Sequence, residues 1–254
     1  MLSFIRKRKA QKNLRPTLDV VSSDAIRNAA NTLLANIEFS GVDEPIKTIA
    51  ITSSIPNEGK STITLSLAAA AGQAGKQVLV IEGDLRRRSL MAAVKAHPRY
   101  GLHAVLSEAV TLEEAAAETS LRGVYFLDAE PGIPNPEELL SSRRYASLIQ
   151  AARRAYDLVV IDTPPVGAFA DAAVVARQVD GAILVVRENF TDKRAAQLAM
   201  EQLRNSGAHV LGVVMNFQER ANGSGYGYYY GYYYDEKTVD KDSPEAKEAI
   251  AASK

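Results

Sequence analysis

The chain has 254 residues, enough for one large α/β domain with a full core or for two small domains. Thirty basic residues balance 30 acidic ones, so the charge gives no indication of a nucleic-acid partner. There is no cysteine, which excludes disulfides, thiolate zinc sites and cysteine nucleophiles and suits a reducing cytosol.

Residues 1–20 read as a basic flexible arm, with Arg6, Lys7, Arg8, Lys9, Lys12 and Arg15 and no acid before position 16. The plain reading is a solvated arm, and the sharper one is weak attraction to an anionic membrane surface or acidic partner. No apolar segment follows the basic residues as a signal peptide requires, and no run of about 18 apolar residues occurs anywhere. His97, His103 and His209 are scattered and share no metal-binding interval.

Residues 21–218 carry an alternation of strands and helices. Ser22, Ser23 and Asp24 offer helix-capping chemistry, and Ile26, Ala29, Ala30, Leu33, Leu34 and Ile37 recur at helical spacing to about Phe39. Strands are expected at 48–52, 77–81, 124–127, 158–161, 181–186 and 210–216. Helices are expected at 61–74, 136–156 and 191–205. The strands are short and apolar on both faces, the pattern of a mostly parallel sheet covered by helices on both sides, a doubly wound α/β fold.

Three strand ends carry the chemistry. Ser54-Ile55-Pro56-Asn57-Glu58-Gly59-Lys60-Ser61, followed by Thr62, lies between the first strand and a helix. It matches the P-loop pattern except that Ser54 replaces the first glycine. Its backbone amides, with Asn57, Glu58, Gly59, Lys60, Ser61 and Thr62 as candidate ATP-binding positions, would face phosphate oxygens. Lys60 would add a positive charge, and Ser61 a hydroxyl for Mg²⁺. The strand Leu158–Ile161 ends in Asp162, the Walker B arrangement of a metal-binding carboxylate. The strand before Glu82-Gly83-Asp84-Leu85-Arg86 ends in two carboxylates two residues apart, which can share one face at the ligand-binding edge of the sheet. Two carboxylates there can hold Mg²⁺, and one could accept a proton from an attacking hydroxyl, while Arg86 is a candidate phosphate contact.

Residues 219–254 change composition. After a Gly/Ser linker come Tyr226, Tyr228, Tyr229, Tyr230, Tyr232, Tyr233 and Tyr234, seven of the chain's 11 tyrosines within nine residues. A disordered tail is expected here. On composition alone it could serve stacking or assembly instead of modification.

With these motifs in place the sequence resembles the bacterial protein-tyrosine kinases (BY-kinases) of capsule and exopolysaccharide biosynthesis, in their stand-alone cytoplasmic form. The resemblance runs over roughly residues 22–234 and also takes in Asn135-Pro136-Glu137-Glu138-Leu139-Leu140 and Asp171. It implies a P-loop NTPase fold and ATP and Mg²⁺ as cofactors, with Ser61, Asp84 and Asp162 as metal ligands and Lys60, Glu82, Asp84 and Asp162 as catalytic groups, and autophosphorylation of the tail tyrosines between subunits of a homo-oligomeric ring. It also implies a separate membrane-anchored activator, or chain-length regulator, that recruits the kinase to the inner face of the plasma membrane, and a tyrosine phosphatase counterpart. The sequence departs from the family pattern at Glu82, where Asp is usual, at Asn57, where Gly is usual, and at Ala30, where the register Asp24, Arg27, Ala30 lacks an Arg. A non-catalytic or switch-type P-loop ATPase, regulating a membrane polysaccharide machine without tyrosine phosphotransfer, is the alternative.

Overall fold

Strands apolar on both faces are stable only where both faces are covered. A computed structural model, which describes residues 23–41 and 44–218, meets that requirement. The tyrosine cluster and the basic arm lie outside the described residues, and every described strand and helix belongs to one unit ending at Asn216.

In chain order the elements are α1 (Asp24–Ser40), β1 (Thr48–Ser53), α2 (Lys60–Gln73), β2 (Val78–Glu82), α3 (Met91–Val94), α4 (Leu102–Leu106), α5 (Leu112–Ala115), β3 (Ala117–Glu118), β4 (Val124–Leu127), α6 (Pro136–Leu140), α7 (Arg143–Ala155), β5 (Leu158–Asp162), α8 (Asp171–Ala176), β6 (Gly181–Arg187), α9 (Lys193–Asn205) and β7 (Val210–Asn216). The sheet order is β3-β4-β2-β5-β1-β6-β7. All pairings are parallel except β3 with β4. β1, β2 and β5, the strands that end in the three motifs, lie side by side in the middle of the sheet.

Alternate residues of each central strand enter opposite cores. Ile49, Ile51, Val78, Val80, Val160 and Val185 join Ala30, Leu34 and Ile37 of α1 and the Leu/Ala-rich α2 on one face. Leu79, Ile81, Val159, Ile161 and Leu184 join Leu140, Tyr145, Ile149, Val175 and Leu203 on the other. α2 is buried on most of its surface because it lies between the sheet and α1, which explains why its sequence is apolar nearly all round.

Two local outcomes differ from the periodicity. The single helix expected over 136–156 is two helices, broken because the Ser142 hydroxyl accepts from the Tyr145 amide and starts α7 afresh. Between β2 and β4 lie three helices of four or five residues and the two-residue β3. None of these is long enough to show a repeat in the sequence.

Asp180 fastens the edge of the sheet opposite the motifs. Its carboxylate accepts from the amides of Lys47 and Thr48, each at 2.9 Å, and from the Arg153 guanidinium at 3.1 Å. Burial alone would raise its pKa, but these donors outweigh burial and hold it below the ordinary carboxylate value. A carboxylate with a lowered folded-state pKa contributes stability above its unfolded pKa and loses it as pH falls through the folded one. Asp180→Asn is expected to lower stability by about 1–2 kcal/mol at pH 7. The gap between variant and wild type should close in thermal melts run below the ordinary value of 3.8. Tyr145 offers the opposite case. Its ring is fully buried and, among the described residues, its hydroxyl has no hydrogen-bond partner, so burial pushes its pKa up. Tyr145→Phe removes a stranded polar group and is expected to leave the melting temperature unchanged or raise it by roughly 2–4 °C.

Candidate active site

The loop from Ser54 to Gly59 turns twice through left-handed backbone, at Asn57 (φ 68°) and Gly59 (φ 90°). Asn tolerates that region better than most residues, so Asn57 keeps the loop shape that glycine would give. Gly59 leads directly into α2, whose first residues are Lys60 and Ser61. The helix N-terminus and its free amides thus face the carboxyl edge of the sheet, a ready-made anion site.

Asp162, at the end of β5, is fully buried and gathers the polar groups of that helix start. The Ser61 hydroxyl donates to Asp162 Oδ2 at 2.6 Å, and the Thr64 hydroxyl donates to Oδ1 at 3.3 Å. Lys60 Nζ stands 3.4 Å from the same Oδ2 and 3.5 Å from Asp84 Oδ2. The adjacent strands β2 and β5 are in register, with Glu82 opposite Asp162. Gly83 then crosses tightly over β5, where its amide donates to the Asp162 carbonyl at 2.7 Å. A Cβ at Gly83 would lie 2.8 Å from that carbonyl oxygen, so only glycine brings the two motifs this close.

Glu82 is turned toward its own loop. It accepts from the amides of Ser89 at 2.7 Å, Leu90 at 3.1 Å and Asp84 at 3.3 Å, and is fully buried. It orders the segment that carries Asp84 and Arg86. Burial, with the neighbouring Asp162 charge, pushes the Glu82 pKa up to about 8 against the pull of these amides. Burial also raises Asp162, with Lys60 and Ser61 opposing. Burial works to lower Lys60, but Asp162, Asp84 and Glu82 together outweigh it and raise its pKa. The lysine is the cation that lets these carboxylates share one dry site.

Arg86 is engaged by the first residue of α8. Its Nε and Nη2 bond both oxygens of fully buried Asp171, at 2.8 and 3.1 Å, and its guanidinium covers the Phe169 ring at 4.3 Å. Arg88 pairs with Asp128 at the end of β4. Glu58 points inward and is fully buried, and Thr62 lies in the first turn of α2. Lys60, Ser61, Asp84 and Asp162 therefore converge, Glu82 sits directly behind them, and Arg86 is held on Asp171. The pairing of Arg86 with Asp171 cannot be read from spacing, because 85 residues separate the two. Thr191 and Asn216, which touch the P-loop through Glu58, carry no local motif that would single them out.

A family model described as an AAA domain matches residues 46–198, the span that holds all three motifs. Tyrosine-protein kinase YwqD of Bacillus subtilis is 36% identical over 226 residues, covering 89% of this chain and 95% of that protein. The chain belongs to the bacterial tyrosine-protein kinases. Among solved structures, the kinase domain of the Escherichia coli tyrosine kinase ETK matches with a TM-score of 0.75 at 30% identity, over 86% of each chain. The septum site-determining protein MinD of Pyrococcus horikoshii, solved with Mg-ADP, matches with a TM-score of 0.60 at 26% identity, over 69% of this chain and 72% of that one. This kinase is thus built on a P-loop fold of the kind that holds a magnesium nucleotide.

The donor set of this kinase fits magnesium. A hydroxyl and carboxylates are hard oxygen ligands, and Mg²⁺ typically takes one or two carboxylates plus phosphate and water. Arg86→Ala would strand the buried Asp171 charge. Discounted for the third of Arg86 that reaches solvent, it is expected to cost about 2 kcal/mol, and Asp171→Asn less, measurable as shifts in chemical denaturation.

Proposed function

We propose that this chain is an ATP-dependent protein-tyrosine kinase that phosphorylates tyrosines of its own C-terminal segment, Tyr226 to Tyr234, in a neighbouring copy. The observation that supports this most directly is the convergence of Lys60, Ser61, Asp84 and Asp162 at the start of α2. Backbone amides of the P-loop, Asn57 to Thr62 included, bind the phosphates, and Lys60 neutralises charge on them. Ser61 and Asp162, with Asp84, hold Mg²⁺. The ion, when bound, screens the charge that develops on the phosphoryl oxygens. In the transfer, a phenol oxygen forms a bond to the γ-phosphorus while the bond from that phosphorus to the β–γ bridging oxygen breaks, leaving ADP. Asp84, which pairs with Lys60 at 3.5 Å, accepts the phenol proton. Glu82 keeps the Asp84 loop in place through its amide contacts.

The biological setting follows from the same reading. No helix among the described residues is long and apolar enough to cross a membrane. The kinase works in the cytoplasm and is brought to the inner face of the plasma membrane by a separate anchored activator. There it regulates capsular or exopolysaccharide synthesis and export. Its oligomer loosens as the tail gathers negative phosphate, about −1.5 to −2 charges per site, and a phosphatase resets it.

The test is incubation of the purified protein with Mg-ATP, with and without the cytoplasmic part of a candidate activator, followed by mapping of phosphotyrosine. Modification of Tyr226 to Tyr234 is expected, reduced at least about a hundredfold by Lys60→Met or Asp162→Asn. Nucleotide binding with no phosphotyrosine under either condition would favour the switch-ATPase alternative, which the likeness to MinD keeps in view.

A further inference from the structure

The P-loop of this chain lacks the first glycine of the pattern, and its backbone still holds two left-handed turns in succession. Something other than glycine at that end must fix its shape. Glu58 is the one carboxylate inside the loop, and it is fully buried. The Ser54 hydroxyl lies 2.9 Å from each of its oxygens, and the Ile55 amide donates to Oε2 at 2.9 Å. The Thr191 hydroxyl, from the turn between β6 and α9, donates to Oε1. That threonine is itself fixed, because its oxygen accepts the Arg187 amide at 2.8 Å. On the backbone side, Asn216 at the end of β7 donates to the Glu58 carbonyl at 3.0 Å, and Arg187 donates to the Asn57 carbonyl at 3.4 Å.

We infer that Glu58 is a positioning residue for nucleotide binding, a buried clasp that joins the two ends of the P-loop and anchors them to Thr191. Its side chain is fully buried and its two oxygens are taken up by these contacts, so it acts through the backbone it shapes. The serine in place of the first glycine is integral to the clasp, since a glycine there would offer no hydroxyl to Glu58. The carboxylate accepts from three separate donors, of which the Ser54 hydroxyl is buried and the other two part-buried, and each would lose this partner without it. A shape-based role makes a distinctive demand. A neutral side chain of the same length should largely replace glutamate, because an amide oxygen can still take the Ile55 amide while the two hydroxyls turn to suit the amide nitrogen. A shorter or apolar side chain should not.

The test uses the full chain and a fluorescent ADP analogue with Mg²⁺, with binding titrated directly and circular dichroism and thermal melts on every variant. Reading binding and not phosphotransfer keeps the result independent of the tyrosine-kinase proposal. Glu58→Ala is expected to weaken binding about tenfold or more, and Glu58→Gln by no more than about threefold. Thr191→Val should weaken binding by a few fold, and Thr191→Ser should restore it. The two threonine variants decide the matter on their own should Glu58→Ala fail to fold. Wild-type affinity in Thr191→Val, or in Glu58→Ala where that variant folds, would overturn the inference. So would tighter binding by Glu58→Gln, which would mean that Glu58 acts by its charge and not by holding the loop.

Discussion

A buried lysine ringed by carboxylates is the constraint around which the rest of the molecule is arranged. Asp162 is fully removed from solvent and Asp84 nearly so, and Glu82 sits buried behind them. Such groups stay together only if a cation is held against them and every remaining lone pair is given a donor. The chain supplies the cation from the first turn of α2, the hydroxyls from Ser61 and Thr64, and backbone amides for Glu82 from the loop after β2. Three adjacent strands have to end level with one another for this to work, and the register of β2 on β5 and of β5 on β1 provides it.

The same ion pairs order the side chains on which the proposed nucleotide chemistry rests. Lys60 is shared between Asp84 and Asp162, and Ser61 is tied to the latter. Each of these groups is proposed to act on a magnesium nucleotide, and the ion pairs hold the side chains close together for that role. Little ordering then remains to oppose binding, which is what preorganisation contributes to affinity and to catalysis.

Much of this is legible in the amino-acid sequence, and the illegible parts share a cause. Central strands buried on both faces announce themselves as short apolar runs, and the residues that end them, Glu82, Asp84 and Asp162, stand out by contrast with those runs. Asn57 can be read as a tolerable substitute for glycine, and its φ of 68° is the backbone that reasoning requires. The short helices between β2 and β4 give no signal because four or five residues complete barely more than one turn. The break at Ser142 is hidden by apolar spacing that continues across it. Side chains that act through distant partners, such as Asp171 on Arg86 and Thr191 on Glu58, depend on the fold to bring them together and leave no trace in spacing.

The strand order has a temporal consequence. β1, which launches the P-loop, pairs only with β5 and β6, more than a hundred residues further along the chain. During synthesis the loop therefore has no neighbouring strand to stand on until β5, which ends at Asp162, has left the ribosome. Pairings this far apart in sequence close late. A nascent chain thus carries its Gly-Lys-Ser segment through the synthesis of about a hundred further residues before the strand that bears Asp162 exists to pair with β1.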